Sequence, residues 1–415
     1  MAWTTAAAQA AEPWLNETLI DAARMATDPQ EATRLYLSAV SLSRVSQTKS
    51  EALSGYIEEV GSFAVKTVYC LSLLAFGVLW RLRDRVARMS SRWPVQITIF
   101  WCVYWGFLVI MLFPFEFFRF WFLDRISQRI ETGWPRWTQG YLTGQVLPGL
   151  AGLVGMILLY ALIRRARKGW WLISWAASTL LLAAILFLSP WLQRKSVKVS
   201  QNPMLLTIAR QLARESGLGR IQVLERADGG PQGRIGASFT GWLGTTSIIV
   251  NQASLVRCNE DELRFIIAHE TGHLILHHAW AWLAMQSGVL LAFFASTAFV
   301  LRFAAARWAV TGIKGPGDVA GLPLLHLCLV VVTFASGPLL NSLARYGENQ
   351  ADHFALEVTR LPDAAASVFL KLSESRDLEP SRVVEAVFFG HPSGRTRIQR
   401  AMEWKAQHGQ ERNSN

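Results

Sequence analysis

Two histidines four residues apart, His269 and His273, stand in the stretch FIIAHETGHLILHHAW, and a glutamate, Glu270, directly follows the first. On an α-helix that spacing amounts to about 40° of rotation and about 6 Å of rise, so both imidazoles project toward one point. Such a point suits zinc. A carboxylate beside it can hold a water as general base and later return the proton to a leaving amine. The pattern is short enough to arise by chance, so a third ligand matters. The segment NSLARYGENQADHFAL supplies Glu348, with Asp352 one turn further along the same helical face. Two histidines and one glutamate form an established set that leaves a corner open for water. Asp352 is placed to accept the free ring N–H of a zinc-binding histidine. The plain alternative for this second segment is a solvated acidic face. One zinc ion per chain is the expected cofactor.

Composition narrows what can position these groups. Of 415 residues, 51% are hydrophobic and 17% charged, with 18 Trp and 22 Phe, and this suits a membrane protein. A net charge of +11 would point to nucleic acid in a soluble protein. Here the arginines crowd the ends of apolar stretches, as beside phospholipid head groups, and no nucleic-acid motif accompanies them. The expected partners are a lipid bilayer and a protein or peptide substrate, not nucleic acid. Cys70, Cys102 and Cys328 fall in apolar stretches and Cys258 in a polar one, which gives no disulfide framework.

Six apolar stretches are long enough to cross a bilayer as helices: approximately 62–80, 97–115, 147–163, 170–188, 281–300 and 322–340. The first, third and sixth carry Gly, Pro or polar residues, so a buried helix is the alternative for each. The fold class read from this is mainly α, a multi-pass integral membrane protein of about six transmembrane helices with a zincin-like domain containing a small β-sheet. The expected organisation is a polar N-terminal extension (1–60), four spans (61–192), a peptidase insert with the H-E-x-x-H helix (193–280), two spans (281–340), and a C-terminal part carrying the third ligand (341–415). Residues 1–60 lack the basic start and apolar run of a cleavable signal peptide and read as an amphipathic or partly ordered extension.

The insert has its own punctuation. Asn202-Pro203 caps a helix that Gly217 stops, residues 221–224 read as a strand, and RIGASFTG and TTSIIVNQ read as a hairpin turning at Trp242-Leu243-Gly244. Asn259 with Glu262 forms a capping box that starts the metal helix. An edge strand at Gly236, Ala237, Ser238 and Phe239 could take up an extended peptide by strand addition; an ordinary hairpin covering the helix is the alternative.

HETGH followed by LARYGENQAD resembles the gluzincin membrane peptidases that include HtpX and the Ste-type (type I) CAAX prenyl endopeptidases. LFPFEFFRFWFLDRISQRI, WLQRKSVKVSQNP and GASFTG are similar to the CAAX branch, and His391-Pro392-Ser393 with Arg397-Ile398 is similar to its HP-x-x-x-x-RI element. The resemblance implies His269, His273 and Glu348 as zinc ligands, Glu270 as general base and Asp352 as the acidic residue behind the ligands. It implies His391 and Arg397 as the pair that steadies the oxyanion and the substrate chain, where charge develops during acyl transfer. His277, His278 and His353 lie nearby in sequence as supporting or structural residues. Gly236 stands where the family has Asn, and Ala344 where it has Ser. An additional first span of the eukaryotic enzymes is missing. These departures bear on specificity, not on the metal.

Topology gives two opposed indications. Arg81, Arg83, Arg85, Arg88, Arg92, Arg164, Arg165, Arg167 and Lys168 place the site outside the cytoplasm by the positive-inside rule, and the resemblance places it inside. The expected location is a bacterial inner (cell) membrane. The expected function is hydrolysis of membrane-associated, unfolded or lipidated (CAAX-like) protein chains by zinc-activated water. A quality-control chaperone or scaffold with a structural zinc is the alternative. A transporter is disfavoured, since Glu116 and His326 are nearly alone among ionisable residues in the spans.

Overall fold

The computed structural model describes residues 14–124, 133–166, 168–193, 195–218, 221–227, 230, 233–240, 247–307, 312–372 and 377–413. The turn expected at Trp242-Leu243-Gly244 lies outside them. The described chain is mainly helical with one small sheet and divides into two compact units.

The first unit draws on three separate segments, Met1–Ala52, Leu182–Leu283 and Pro338–Asn415. Its sheet has the order β1-β2-β4-β3, with β1 Val197–Val199, β2 Gln222–Arg226, β3 Ala237–Thr240 and β4 Ser247–Asn251. The β2–β4 pair is parallel, and β1–β2 and β3–β4 are antiparallel. In β4, Ile248, Ile249 and Val250 are all fully buried. A strand covered on both faces reads as an unbroken apolar run instead of an alternating one. β3 stands at the end of the order, as the sequence suggested for an edge strand.

Around this sheet the unit closes one apolar core. Helix Pro203–Glu215 contributes Leu205 and Leu212, and helix Pro362–Leu372 contributes Val368, Phe369 and Leu370. The expected cap and stop are both present: the Asn202 side chain accepts from Met204 N–H, and Gly217 takes a left-handed φ of 68°. The described part of the polar N-terminus holds two capped helices, Glu17–Met25 and Pro29–Ser38. They add Ile20 and Tyr36 to the same core, and the Tyr36 hydroxyl donates to Asp363 at 3.0 Å.

The second unit comprises Leu53–Leu181 and Ala284–Gly337. Among the described residues five helices are long and apolar enough to cross a membrane, ending at Trp121, Arg165, Leu192, Arg307 and Thr359. The first expected span differs. Leu42–Ala75 and Val78–Met89 are bent by 64°, and together they make a sixth crossing only as a broken span. Gly77 sits at the break with φ 60°, and a Cβ there would meet the Trp80 ring at 2.3 Å. Both the backbone and the space therefore demand glycine. Two glycines of the third stretch are explained by close packing, Gly149 and Gly152: Trp101 donates to the Gly149 carbonyl at 2.8 Å, and a Cβ on Gly152 would strike the Trp101 ring, whereas Gly155 faces open space. His326 is paired with the Tyr104 hydroxyl at 2.6 Å.

Candidate metal centre

The helix that carries the first motif runs from Glu260 to Ile275 and starts as its sequence dictates. Asn259 and Glu262 form a reciprocal capping box, at 2.9 and 2.8 Å. Glu262 is then buried against Lys371 Nζ at 2.7 Å and the Ser367 hydroxyl, which fixes the helix start on helix Pro362–Leu372. Leu263, Phe265, Ile267 and Ala268 are buried in the core, so His269 and His273 are turned to the opposite side with little freedom.

The second motif lies near the end of helix Leu322–Thr359. Its Ala351 backbone passes Gly272 so closely that a Cβ there would stand 3.2 Å from Ala351 Cα and 3.0 Å from the Phe354 ring. This approach brings Glu348 to the histidines. His269 Nε2 and His273 Nε2 are 3.2 Å apart, and the Glu348 carboxylate lies 3.4 Å from the first and 3.5 Å from the second. Zinc bonds of about 2.0–2.1 Å in tetrahedral geometry put ligand atoms roughly 3.3 Å apart, so these spacings fit that ion. The buried Oε2 of Glu348 has no aligned hydrogen-bond donor among the described residues, as expected of an atom meant for a metal. These three residues form the single candidate metal group among the described residues.

The remaining side chains are arranged about this triangle. Asp352 Oδ1 lies 2.9 Å from His269 Nδ1, and Arg397 grips the same carboxylate with two donors at 2.7 and 2.5 Å. Arg397 is buried beneath the Phe369 ring and reaches Glu348 only at 3.8 Å. The nearest work of its guanidinium is thus to fix Asp352. His391 Nε2 lies 3.4 Å from Glu348 Oε1 with its side chain 41% exposed, at the open side of the group. Its segment is tied to the ligand helix, since Asn341 donates to the Val387 carbonyl at 2.6 Å and Arg345 to the Glu385 and Phe389 carbonyls at 2.7 and 2.5 Å.

Glu270 points toward the sheet, and its Oε2 accepts from the Phe239 N–H of β3 at 2.9 Å. The outer edge of β3 thereby faces the motif. Gly236 is fixed beside it, exchanging hydrogen bonds with the Ser254 hydroxyl at 2.8 and 2.9 Å, while Ala237 and Ser238 pair with Val250 and Ile249. The Phe239 ring stacks on His273 at 5.5 Å. Burial raises the Glu270 carboxyl above its ordinary range, against the lowering pull of the two histidines. Burial disfavours a charged His269, but Asp352 and Glu348 outweigh it and lift the ring to about 10.

Two contacts were not legible in the sequence. One is the backbone bond from Phe239 to Glu270, which no side-chain pattern announces. The other concerns the extra histidines, which the structure separates. His278 Nδ1 meets His273 Nδ1 at 2.7 Å, His353 is largely exposed near Glu357, and His277 takes a left-handed φ of 56° between two helices. Spacing alone ranked the three equally.

The model of peptidase family M48 matches residues 200–405, which include both motifs and the His391–Arg397 element. An uncharacterized metalloprotease, YhfN, of Bacillus subtilis (strain 168) is 29% identical over 252 residues, spanning 59% of this chain and 59% of that protein. The crystal structure of S. mikatae Ste24p superposes with a TM-score of 0.64 at 12% identity, covering 94% of this chain and 90% of that one, and this likeness is one of fold. Residues 200–405 of this chain belong to peptidase family M48, whose members are metal-dependent peptidases.

Proposed function

We propose that this protein is a membrane-embedded zinc endopeptidase that cleaves membrane-associated, unfolded or lipidated (CAAX-like) protein chains. The observation that carries the reading is the mutual spacing of 3.2, 3.4 and 3.5 Å among His269, His273 and Glu348. His269, His273 and Glu348 would hold one zinc, which when bound supplies Lewis-acid polarisation of the scissile carbonyl and acidification of a water.

The protein's own groups do the rest. An extended substrate adds along Gly236 and the β3 residues Ala237, Ser238 and Phe239 at the end of the sheet, where the outward Phe239 N–H is held by Glu270. Glu270 takes a proton from the attacking water and returns it to the leaving amine, a task suited to a carboxylate whose affinity for protons burial has raised. His391, at the exposed side of Glu348, donates to the developing oxyanion. Arg397 acts through Asp352, which holds His269 in its ligand orientation. The apolar helices fit residence in a membrane, and the bacterial source of the relative favours a bacterial cell membrane.

The test uses the full chain in detergent or lipid nanodiscs, with an unfolded or lipidated peptide as substrate. Wild type is expected to cut the peptide and to lose that activity to a zinc chelator, with recovery on adding zinc. Zinc-loaded wild type that binds the peptide and never cuts it would overturn the reading in favour of a holding role.

A further inference from the structure

The two histidines of the proposed centre are braced differently. His269 leans on an anion, Asp352, itself gripped by Arg397. His273 has no carboxylate behind it in the described contacts; its Nδ1 faces the Nδ1 of His278 at 2.7 Å. Beyond that ring, His278 Nε2 lies 3.2 Å from Gln350 Oε1, and Gln350 Nε2 donates to the Tyr346 hydroxyl at 3.4 Å.

Proton positions along this row follow one from the next. His273 Nε2 faces His269 and Glu348, so a metal there takes the Nε2 lone pair, and the neutral ring then carries its proton on Nδ1. A donor 2.7 Å from a second nitrogen requires that nitrogen to accept, which leaves the His278 proton on Nε2. That proton points at an amide oxygen, which can only accept. With a metal on His273 Nε2, this assignment satisfies the two histidine contacts, and the reversed one is excluded because it would put the His273 proton on Nε2. The row also ends on the ligand helix, since Gln350 stands between Glu348 and Asp352.

We propose that His278 is a positioning residue for the metal, its Nδ1 accepting a hydrogen bond from His273 Nδ1–H and its Nε2–H donating to Gln350 Oε1, so that His273 stays in the tautomer and orientation that ligate. This rests on the zinc reading above. His278 is the first residue of helix His278–Arg307, and the left-handed His277 is the turn that sets it beneath His273.

The experiment compares wild type, His278→Asn, His278→Leu and Gln350→Leu as full-length protein in detergent. Zinc affinity is read by chelator competition, and the ligand field by the visible bands of the cobalt-substituted protein. Asn offers an acceptor near the place of Nδ1, and Leu fills the space with none. His278→Leu is expected to lose about 10–100-fold in zinc affinity and to shift the cobalt bands, as when an outer partner of a ligand is removed. His278→Asn is expected to stay near wild type. Gln350→Leu keeps both rings and is expected to shift the cobalt bands, which keeps the proposal testable if His278→Leu fails to fold. Equal affinity and identical bands for His278→Leu and wild type would overturn the relay, as would an Asn variant impaired as much as Leu. If wild type takes up no stoichiometric zinc, the function proposed above fails first; if it does and the variants match it, only the relay fails.

Discussion

At the scale of single residues, the proposed function separates groups that would touch the substrate from groups that would hold the metal-binding side chains. Glu270 belongs to the first kind, so Glu270→Gln is expected to retain zinc while cleavage falls by at least about 10²–10⁴-fold, read by peptide assay beside metal analysis. Full activity in that variant would remove the mechanism. Asp352 belongs to the second kind. Asp352→Ala should weaken zinc binding by about 10–100-fold in chelator competition. The same change strands a buried Arg397, which costs about 3–5 kcal/mol of stability in denaturant titration. Pairing it with Arg397→Met should restore part of that loss, because the orphaned charge is gone. His391, being exposed, should behave oppositely: His391→Ala lowers kcat and leaves zinc affinity alone.

At the scale of elements, the approach of the two motif-bearing helices depends on Gly272. Its missing Cβ lets Ala351 come close, and Gly272→Val is expected to push Glu348 away from the histidines. Overpacking of this kind costs roughly 1–3 kcal/mol, and thermal unfolding with and without added zinc would reveal both the strain and the damaged site. The sequence carried each half of the proposed metal group because helical spacing is a local property: His269 to His273 and Glu348 to Asp352 are each one turn. The capping box at Asn259 and Glu262 was legible for the same reason. That Glu262 also binds Lys371 and Ser367 was not, since a pair so distant in the chain leaves no periodic trace. Strand β4 was readable as an apolar run, and its parallel partner β2 as a short strand, but not the pairing between them. Strand β1 escaped notice because VKV at an edge is too short to show alternation. The first span read as continuous because its apolar residues continue past Gly77, and composition does not register one left-handed residue.

At the scale of the whole molecule, the unit that holds the centre is gathered from three stretches of chain separated by membrane helices. The N-terminal pair of helices is part of its core, so Tyr36→Ala should cost about 3–5 kcal/mol in denaturant titration although it lies far from the zinc ligands in sequence. A chain ended after Gly337 should keep both histidines and yet show no tight zinc in metal analysis, since Glu348 and Asp352 are lost with the last stretch. This order of assembly has a bearing on biosynthesis. While the ribosome is still making the middle of the protein, the paired imidazoles exist without their carboxylate, and the nascent chain has no competent hydrolase to turn on itself or on the insertion machinery. On the proposed function, activity is deferred until the last stretch, with Glu348, His391 and Arg397, has been made.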